Sequence, residues 1–171
     1  MGGSRIAIRI SSYAPDNMAI KLIECDKQKS YKLAEYMNDI IIIQGDGRNV
    51  DLLKEEGIRD MDAFIALTDS SETNILACLT AKELGVKKTI AEVENIQFIS
   101  TAERLNIGNI INKKLLAASR IFQLLLDEDS SNAKCLALSD AEVVELVAKE
   151  NSKITKAAVK DLKLPSDLTI G

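Results

Sequence analysis

The stretch DAFIALTDSSETNILACLTAKELGVKKTIAEV, residues 62–93, decides the fold. It opens on a short apolar run, DAFIAL (62–67), with the length and composition of a strand. Asp69 or Ser70 then stands where a helix cap belongs, with Glu72 in the first turn. Ile75, Leu76, Cys78, Leu79 and Leu84 recur at helical spacing, and Gly85 follows the last of them. KTIAEV (88–93) is again a strand. Strand, helix and strand in this succession predict a parallel pair joined by a helical crossover.

The same alternation extends in both directions. MAIKLIE (18–24) is a strand ending in an acid, and Ile40–Ile43 is a β-branched run suited to a strand buried on both faces. Ile110–Ile111 marks a shorter strand. Asp26 caps a predicted helix through Met37, with Tyr31, Ala34 and Met37 on one face. Asn49 caps another through Glu56, closed by Gly57, and Asn95 a third with Phe98, Ile99, Ala102 and Leu105 inward. The expected fold class is α/β, a doubly wound parallel sheet covered on both faces. At the start, Met1-Gly2-Gly3 leads into a helical stretch, Ser4–Tyr13, with Ile6, Ile10 and Tyr13 in register. In a Rossmann unit the first strand runs into a glycine turn that opens a helix ahead of an acid-ended strand. Here the turn, helix and acid-ended strand are present, and the sheet is therefore expected to lack that first strand.

Beyond Leu126, residues 127–132 (DEDSSN) carry no apolar anchor and are expected to be a linker. Cys135–Leu138 and Val143–Val147 are predicted strands, Lys153–Leu162 a helix ended by Pro165, and Leu168–Ile170 a strand. The expected organisation is a Rossmann-like domain over 1–126, a linker over 127–133 and part of a small α+β domain over 134–171.

Composition excludes several function classes. The net charge is −4, and 22 basic residues are scattered among 26 acidic ones, which argues against clustered phosphate neutralisation on nucleic acid. The densest helical basic stretch, Lys27, Lys29 and Lys32, suits a solvated face. No apolar run approaches the roughly 20 residues that cross a bilayer, so direct membrane insertion is not expected. Cys25, Cys78 and Cys135 are odd in number and widely spaced, which fits free thiols in a reducing cytosol. The sequence has no histidine. That removes the commonest general base, every Ser-His or Cys-His pair and the usual zinc ligand. No catalytic and no metal-binding residue is assigned.

The residues with binding chemistry lie at strand ends. Gly2-Gly3-Ser4-Arg5-Ile6-Ala7 is a variant of G-x-G-x-x-G/A, in which glycine lets a diphosphate approach and the helix N-terminus supplies N–H donors. Ser4 takes the second glycine position, where a side chain crowds the diphosphate. Glu24, about 20 residues on, is placed to accept from a ribose diol and favours an unphosphorylated ribose. An exposed acid at a strand end is the alternative. Cys25 adjoins it. Asp46 and Gly47 follow the third strand and Thr68 and Asp69 the next, where ligands bind in such sheets. Asp46 suits an adenine amino group and Thr68 a ribose or phosphate, although turn and cap roles suit the same residues. The helix LLAASRIFQLLL (115–126) is apolar nearly all round and needs burial, either in its own domain or against a second copy.

Taken together, GGSRIA, KLIECD, QGDG, DLLKEEGI, DAFIALTDSSETN, AKELGVKKTIAEV and NKKLLAASRI resemble the KTN, or RCK, domain of TrkA-type potassium-uptake proteins over Gly2–Leu126. The tail resembles the opening of the TrkA-C domain, and the serine-bearing loop resembles that of a second KTN unit. The resemblance implies a dimerising Rossmann domain that binds NAD(H) or ATP/ADP and controls a membrane potassium translocator from the cytoplasmic side of the inner membrane. It places the phosphate loop on Gly2–Ile6, the ribose acid on Glu24, the adenine-side aspartate on Asp46 and further site residues on Thr68 and Asp69. Glu92 stands where the family usually has arginine, so ATP binding is expected to be weak and NAD(H) or an AMP-like ligand preferred. The competing expectations are a structural half-domain without a nucleotide and an NAD-dependent oxidoreductase with its substrate domain elsewhere.

Overall fold

Short polar side chains decide where the helices start. In this computed structural model, which describes residues 1–15, 17–125, 130–135, 142–146, 148–150 and 152–162, α1 (Arg5–Tyr13) opens on Ser4, whose hydroxyl accepts from the Ala7 N–H. α2 (Lys27–Tyr36) opens on Asp26, α3 (Val50–Glu55) on Asn49, α4 (Ser71–Glu83) on Ser70 and α5 (Ile96–Arg104) on Asn95. Each of these side chains accepts from an amide of the first turn, which would otherwise lack a partner, and each cap is worth about 1 kcal/mol. Of the two expected caps for α4, the structure selects Ser70. α6 (Lys113–Leu125) starts after Asn112, whose Oδ1 accepts from the Leu115 N–H at 3.0 Å.

Parallel strands fill the intervals. β1 (Lys21–Glu24) pairs with β2 (Ile41–Gln44), Ile23 opposite Ile43. β3 (Ala63–Ala66), β4 (Lys88–Glu92) and β5 (Asn109–Ile111) form a second parallel set in that order. α4 crosses from β3 to β4 with Ala77, Cys78 and Ala81 fully buried on its inner face. Ala7 of α1 and Leu33 of α2 pack with Leu22 and Leu67 in one core cluster. Among the described residues no strand lies between β1 and β3. Met1 and Gly2 together bridge them: the Met1 amino group donates to the Ile65 carbonyl at 2.7 Å, its carbonyl accepts from Leu67 N–H at 3.0 Å, and Gly2 N–H donates to the Ile23 carbonyl at 2.8 Å.

Three expectations of burial are corrected. Among the described residues β2 pairs on one side only, and Ile41 is 57% exposed, so the isoleucine run is an edge strand and not one buried on both faces. On α2 the inward positions are Ser30 and Leu33, while Tyr31 and Ala34 face solvent. Leu105, expected inward on α5, is likewise exposed because the helix has already ended there.

The chain divides into two compact units, Met1–Leu116 and Ala117–Gly171. In the second, β6 (Ser130–Cys135) pairs antiparallel with β7 (Glu142–Leu146). β6 starts within the stretch 127–133 that was expected to be a linker. The helix expected over Lys153–Leu162 is replaced by turns and a short 3-10 segment at Val159–Asp161. Residues 136–138, Val147 and the strand expected at Leu168–Ile170 lie outside the described residues.

Candidate functional site

The carboxyl ends of β1, β2 and β3 converge on the glycine turn that opens α1. Gly2 lies against Leu67 and Thr68, Gly3 against Glu24 and Leu33, and Gly47 against the Met1 side chain. The sequence-predicted residues Gly2, Gly3, Glu24, Gly47 and Thr68 are thus neighbours in space. Arg5 and Ile6 follow in the first turn of α1, Arg5 exposed and Ile6 half-buried against the core. Asp69 is exposed on the turn after β3.

Glu24 organises this corner. It is only 5% exposed, and its Oε2 accepts from the Gly3 N–H at 2.8 Å and from Lys29 Nζ at 3.1 Å. Its Oε1 accepts from the Asp26 N–H at 3.0 Å and the Cys25 thiol at 3.5 Å. Burial pushes its pKa up, but the Asp26 and Gly3 amides and Lys29 outweigh burial and take it from the ordinary 4.5 to about 2. A carboxylate depressed in the folded state stabilises it above the unfolded pKa, and that stability is lost as pH falls from 4.5 through about 2. The shift is worth on the order of 2–3 kcal/mol. Urea unfolding between about pH 5 and pH 2 should therefore show a shallower acid limb in Glu24→Gln than in the unsubstituted chain; parallel curves would refute the assignment. Burial and the bond to Glu24 push the Cys25 thiol pKa up.

The other predicted residues already have partners. Ser4 does not project into the turn; its hydroxyl caps α1 by accepting from Ala7 N–H at 3.3 Å. Asp46 forms a two-pronged pair with Arg48, at 3.0 Å from Nε and 2.7 Å from Nη2, and this pairing lowers its pKa. Thr68 directs both its N–H and its hydroxyl to Asn74 Oδ1, at 2.9 and 2.7 Å. Glu92 is no free anion facing a phosphate. It is 3% exposed and lies 2.6 Å from Lys113 Nζ, which also reaches Glu94 at 2.7 Å. The repulsion expected of Glu92 is thus offset by a local cation.

Sequence reasoning missed Asn74, Asn112, Lys29 and Lys113. Asn74 had a signal: it shares the inward stripe of α4 with Ala77, Cys78 and Ala81, where a polar residue needs partners. Among the described residues no group of histidine, cysteine or carboxylate side chains is arranged to hold a metal.

The TrkA-N domain family matches residues 1–113. The chain belongs to that family. This TrkA-N chain is 32% identical over 174 aligned positions to the Trk system potassium uptake protein TrkA of Vibrio alginolyticus, covering the whole chain and 38% of that protein. It is 30% identical over 155 positions to the TrkA homolog 1 of Methanosarcina mazei, covering 91% of the chain and 35% of that protein. The chain thus spans little more than a third of the relatives it matches. In three dimensions it resembles the TrkA-N domain of the inner membrane protein ybaL from Escherichia coli, with a TM-score of 0.61 at 12% identity over 72% of this chain and 89% of the other. It also resembles the NAD(P)-binding domain of an exopolyphosphatase-related protein from Archaeoglobus fulgidus, with a TM-score of 0.56 at 11% identity over 68% and 84%. At such identities the likeness establishes a Rossmann-like fold for the TrkA-N unit.

Proposed function

We propose that the chain is the nucleotide-binding regulatory portion of a Trk-type potassium-uptake protein and catalyses no reaction itself. The observation that carries this reading is the Glu24 carboxylate held 2.8 Å from the Gly3 amide, beside the N-terminus of α1 and at the carboxyl ends of parallel strands. That arrangement suits an adenine nucleotide: diphosphate over Gly2–Ile6, ribose at Glu24, adenine toward Asp46 and Gly47, with Thr68 and Asp69 completing the rim. A carboxylate at the ribose favours NAD(H) over a phosphorylated ribose. ADP or ATP is the less favoured ligand because Glu92 stands where an arginine would meet the added phosphate charge, and Lys113 offsets that carboxylate without replacing the arginine. Control is exerted on a membrane potassium translocator from the cytoplasmic side. Among the described residues no helix is long and apolar enough to cross a membrane.

The test is a thermal-shift titration with NADH, NAD, ADP, ATP and AMP. A ligand that binds only the folded state at 100 times its Kd adds about 2.7 kcal/mol, a rise of several degrees. Such a rise with NADH, abolished in Glu24→Ala, is the expected result. A second reading, a structural half-domain without nucleotide, is favoured by the four partners Glu24 already holds and by the Arg48 and Asn74 bonds on Asp46 and Thr68. No shift with any nucleotide would select it.

Self-association through α6 is part of the same proposal. Leu116, Ile121, Leu124 and Leu125 are all more than half exposed on this helix, an apolar face that needs cover. Leu116→Glu is expected to turn a dimer into a monomer on gel filtration. Unchanged elution would move the interface elsewhere.

A further inference from the structure

The carboxylate in the turn after β2 is fully engaged within that turn. Asp46 Oδ1 accepts from the Arg48 N–H at 2.9 Å and from Arg48 Nε at 3.0 Å, while Oδ2 accepts from Nε at 3.2 Å and from Nη2 at 2.7 Å. A carboxylate has about four lone-pair sites, and these contacts take them up. The group left facing outward is the guanidinium. Arg48 is 51% exposed, and its Nη1 meets no acceptor among the described residues. The turn is also fixed beside the ribose acid. The Gly45 N–H donates to the Glu24 carbonyl at 2.9 Å, and Gln44 Nε2 donates to the Cys25 carbonyl at 3.2 Å.

We propose that Arg48, and not Asp46, meets the purine base of a bound nucleotide, so that the site does not select adenine over a 6-oxopurine. This inference rests on the nucleotide-binding reading above. The forked carboxylate holds the guanidinium in one plane, and a planar cation of this kind lies flat against an aromatic ring. Its remaining N–H groups also suit the O6 and N7 acceptors of a 6-oxopurine. For the amino group of adenine to reach Asp46, the carboxylate must release Nη2 and exchange a bond between two charges for a bond to a neutral amine. The forked ionic bond is the stronger of the two, and the exchange leaves adenine no advantage. Removing Arg48 reverses the preference. Asp46 then turns an unpaired carboxylate toward the base, where it accepts from an amino group and repels a carbonyl oxygen.

The experiment titrates the chain with NADH and with reduced nicotinamide hypoxanthine dinucleotide, and reads Kd from nicotinamide fluorescence. The two probes differ only in the amino or oxo group of the purine. In the unsubstituted chain their Kd values are expected to agree within about threefold, less than one charge-assisted hydrogen bond contributes. Arg48→Ala is expected to bind NADH about tenfold or more tighter than the analogue. The double variant Asp46→Ala/Arg48→Ala should return the ratio to within about threefold, because the acceptor is gone. Both side chains lie half-exposed on a turn, where substitution is expected to leave the fold intact. A preference for NADH of about tenfold in the unsubstituted chain would overturn the proposal while leaving nucleotide binding in place. An unchanged ratio in Arg48→Ala would do the same. Binding of neither dinucleotide by any of the three proteins would overturn the nucleotide reading and this assignment with it.

Discussion

Asn74→Ala is expected to destabilise the chain by about 4 kcal/mol, read as a lower urea midpoint at unchanged slope. Asn74 is fully buried, and both ends of its amide are in use. Oδ1 accepts from the Thr68 N–H and hydroxyl, while Nδ2 donates to the carbonyls of Thr68 at 2.9 Å and Glu92 at 2.8 Å. Truncation leaves one backbone donor and two carbonyls without partners inside the domain, at about 1–3 kcal/mol for each group that water cannot reach. Asn74→Asp is expected to be nearly as harmful, because it keeps the acceptor and turns a carboxylate oxygen toward two carbonyls. A loss below about 1 kcal/mol in both variants would show that water replaces the amide.

The second large effect is expected at Gly2. Its φ is +87°, a conformation that side chains rarely adopt, and a Cβ there would lie 2.9 Å from the Leu67 carbonyl oxygen and 3.0 Å from Thr68 Cγ2. The carbonyl oxygen is backbone and cannot rotate away. Gly2→Ala should therefore cost about 2–4 kcal/mol, combining backbone strain with displacement of the strand-end turn. It should also remove whatever nucleotide response the chain has. Gly85 separates the two contributions. It has φ +105° with nothing within 4 Å of an added Cβ, so Gly85→Ala should cost only about 1 kcal/mol. Equal losses at the two positions would show that the close approach at Gly2 contributes nothing.

The alternation of strand and helix was legible because it rests on local signals. Ser70, Asn95, Asn49 and Asp26 each stand one residue ahead of the helix they cap, and the apolar period changes at each boundary. Burial was less legible, since it depends on neighbours distant in sequence. Ile40–Ile43 has the composition of a central strand but lies at an edge because nothing pairs with its far side among the described residues. Lys153–Leu162 has helical spacing, but propensity alone does not hold a helix of that length. At the site, Glu24 was legible from its spacing to the glycine turn. Lys113 was not, because the carboxylate it neutralises lies 21 positions earlier and only the parallel pairing of β4 with β5 brings them together.

The Asn112–Lys113 junction has a mechanical consequence. Asn112 Nδ2 donates to the carbonyls of Val93 at 2.7 Å and Glu94 at 3.1 Å, its Oδ1 caps α6, and Lys113 grips Glu92 and Glu94. α6 therefore cannot pivot about its first turn without breaking contacts to the end of β4, the strand whose Glu92 carbonyl also receives Asn74. A displacement of the end of β4 is therefore felt first at residues 112–115, and loosening this turn uncovers the Val93 and Glu94 carbonyls together.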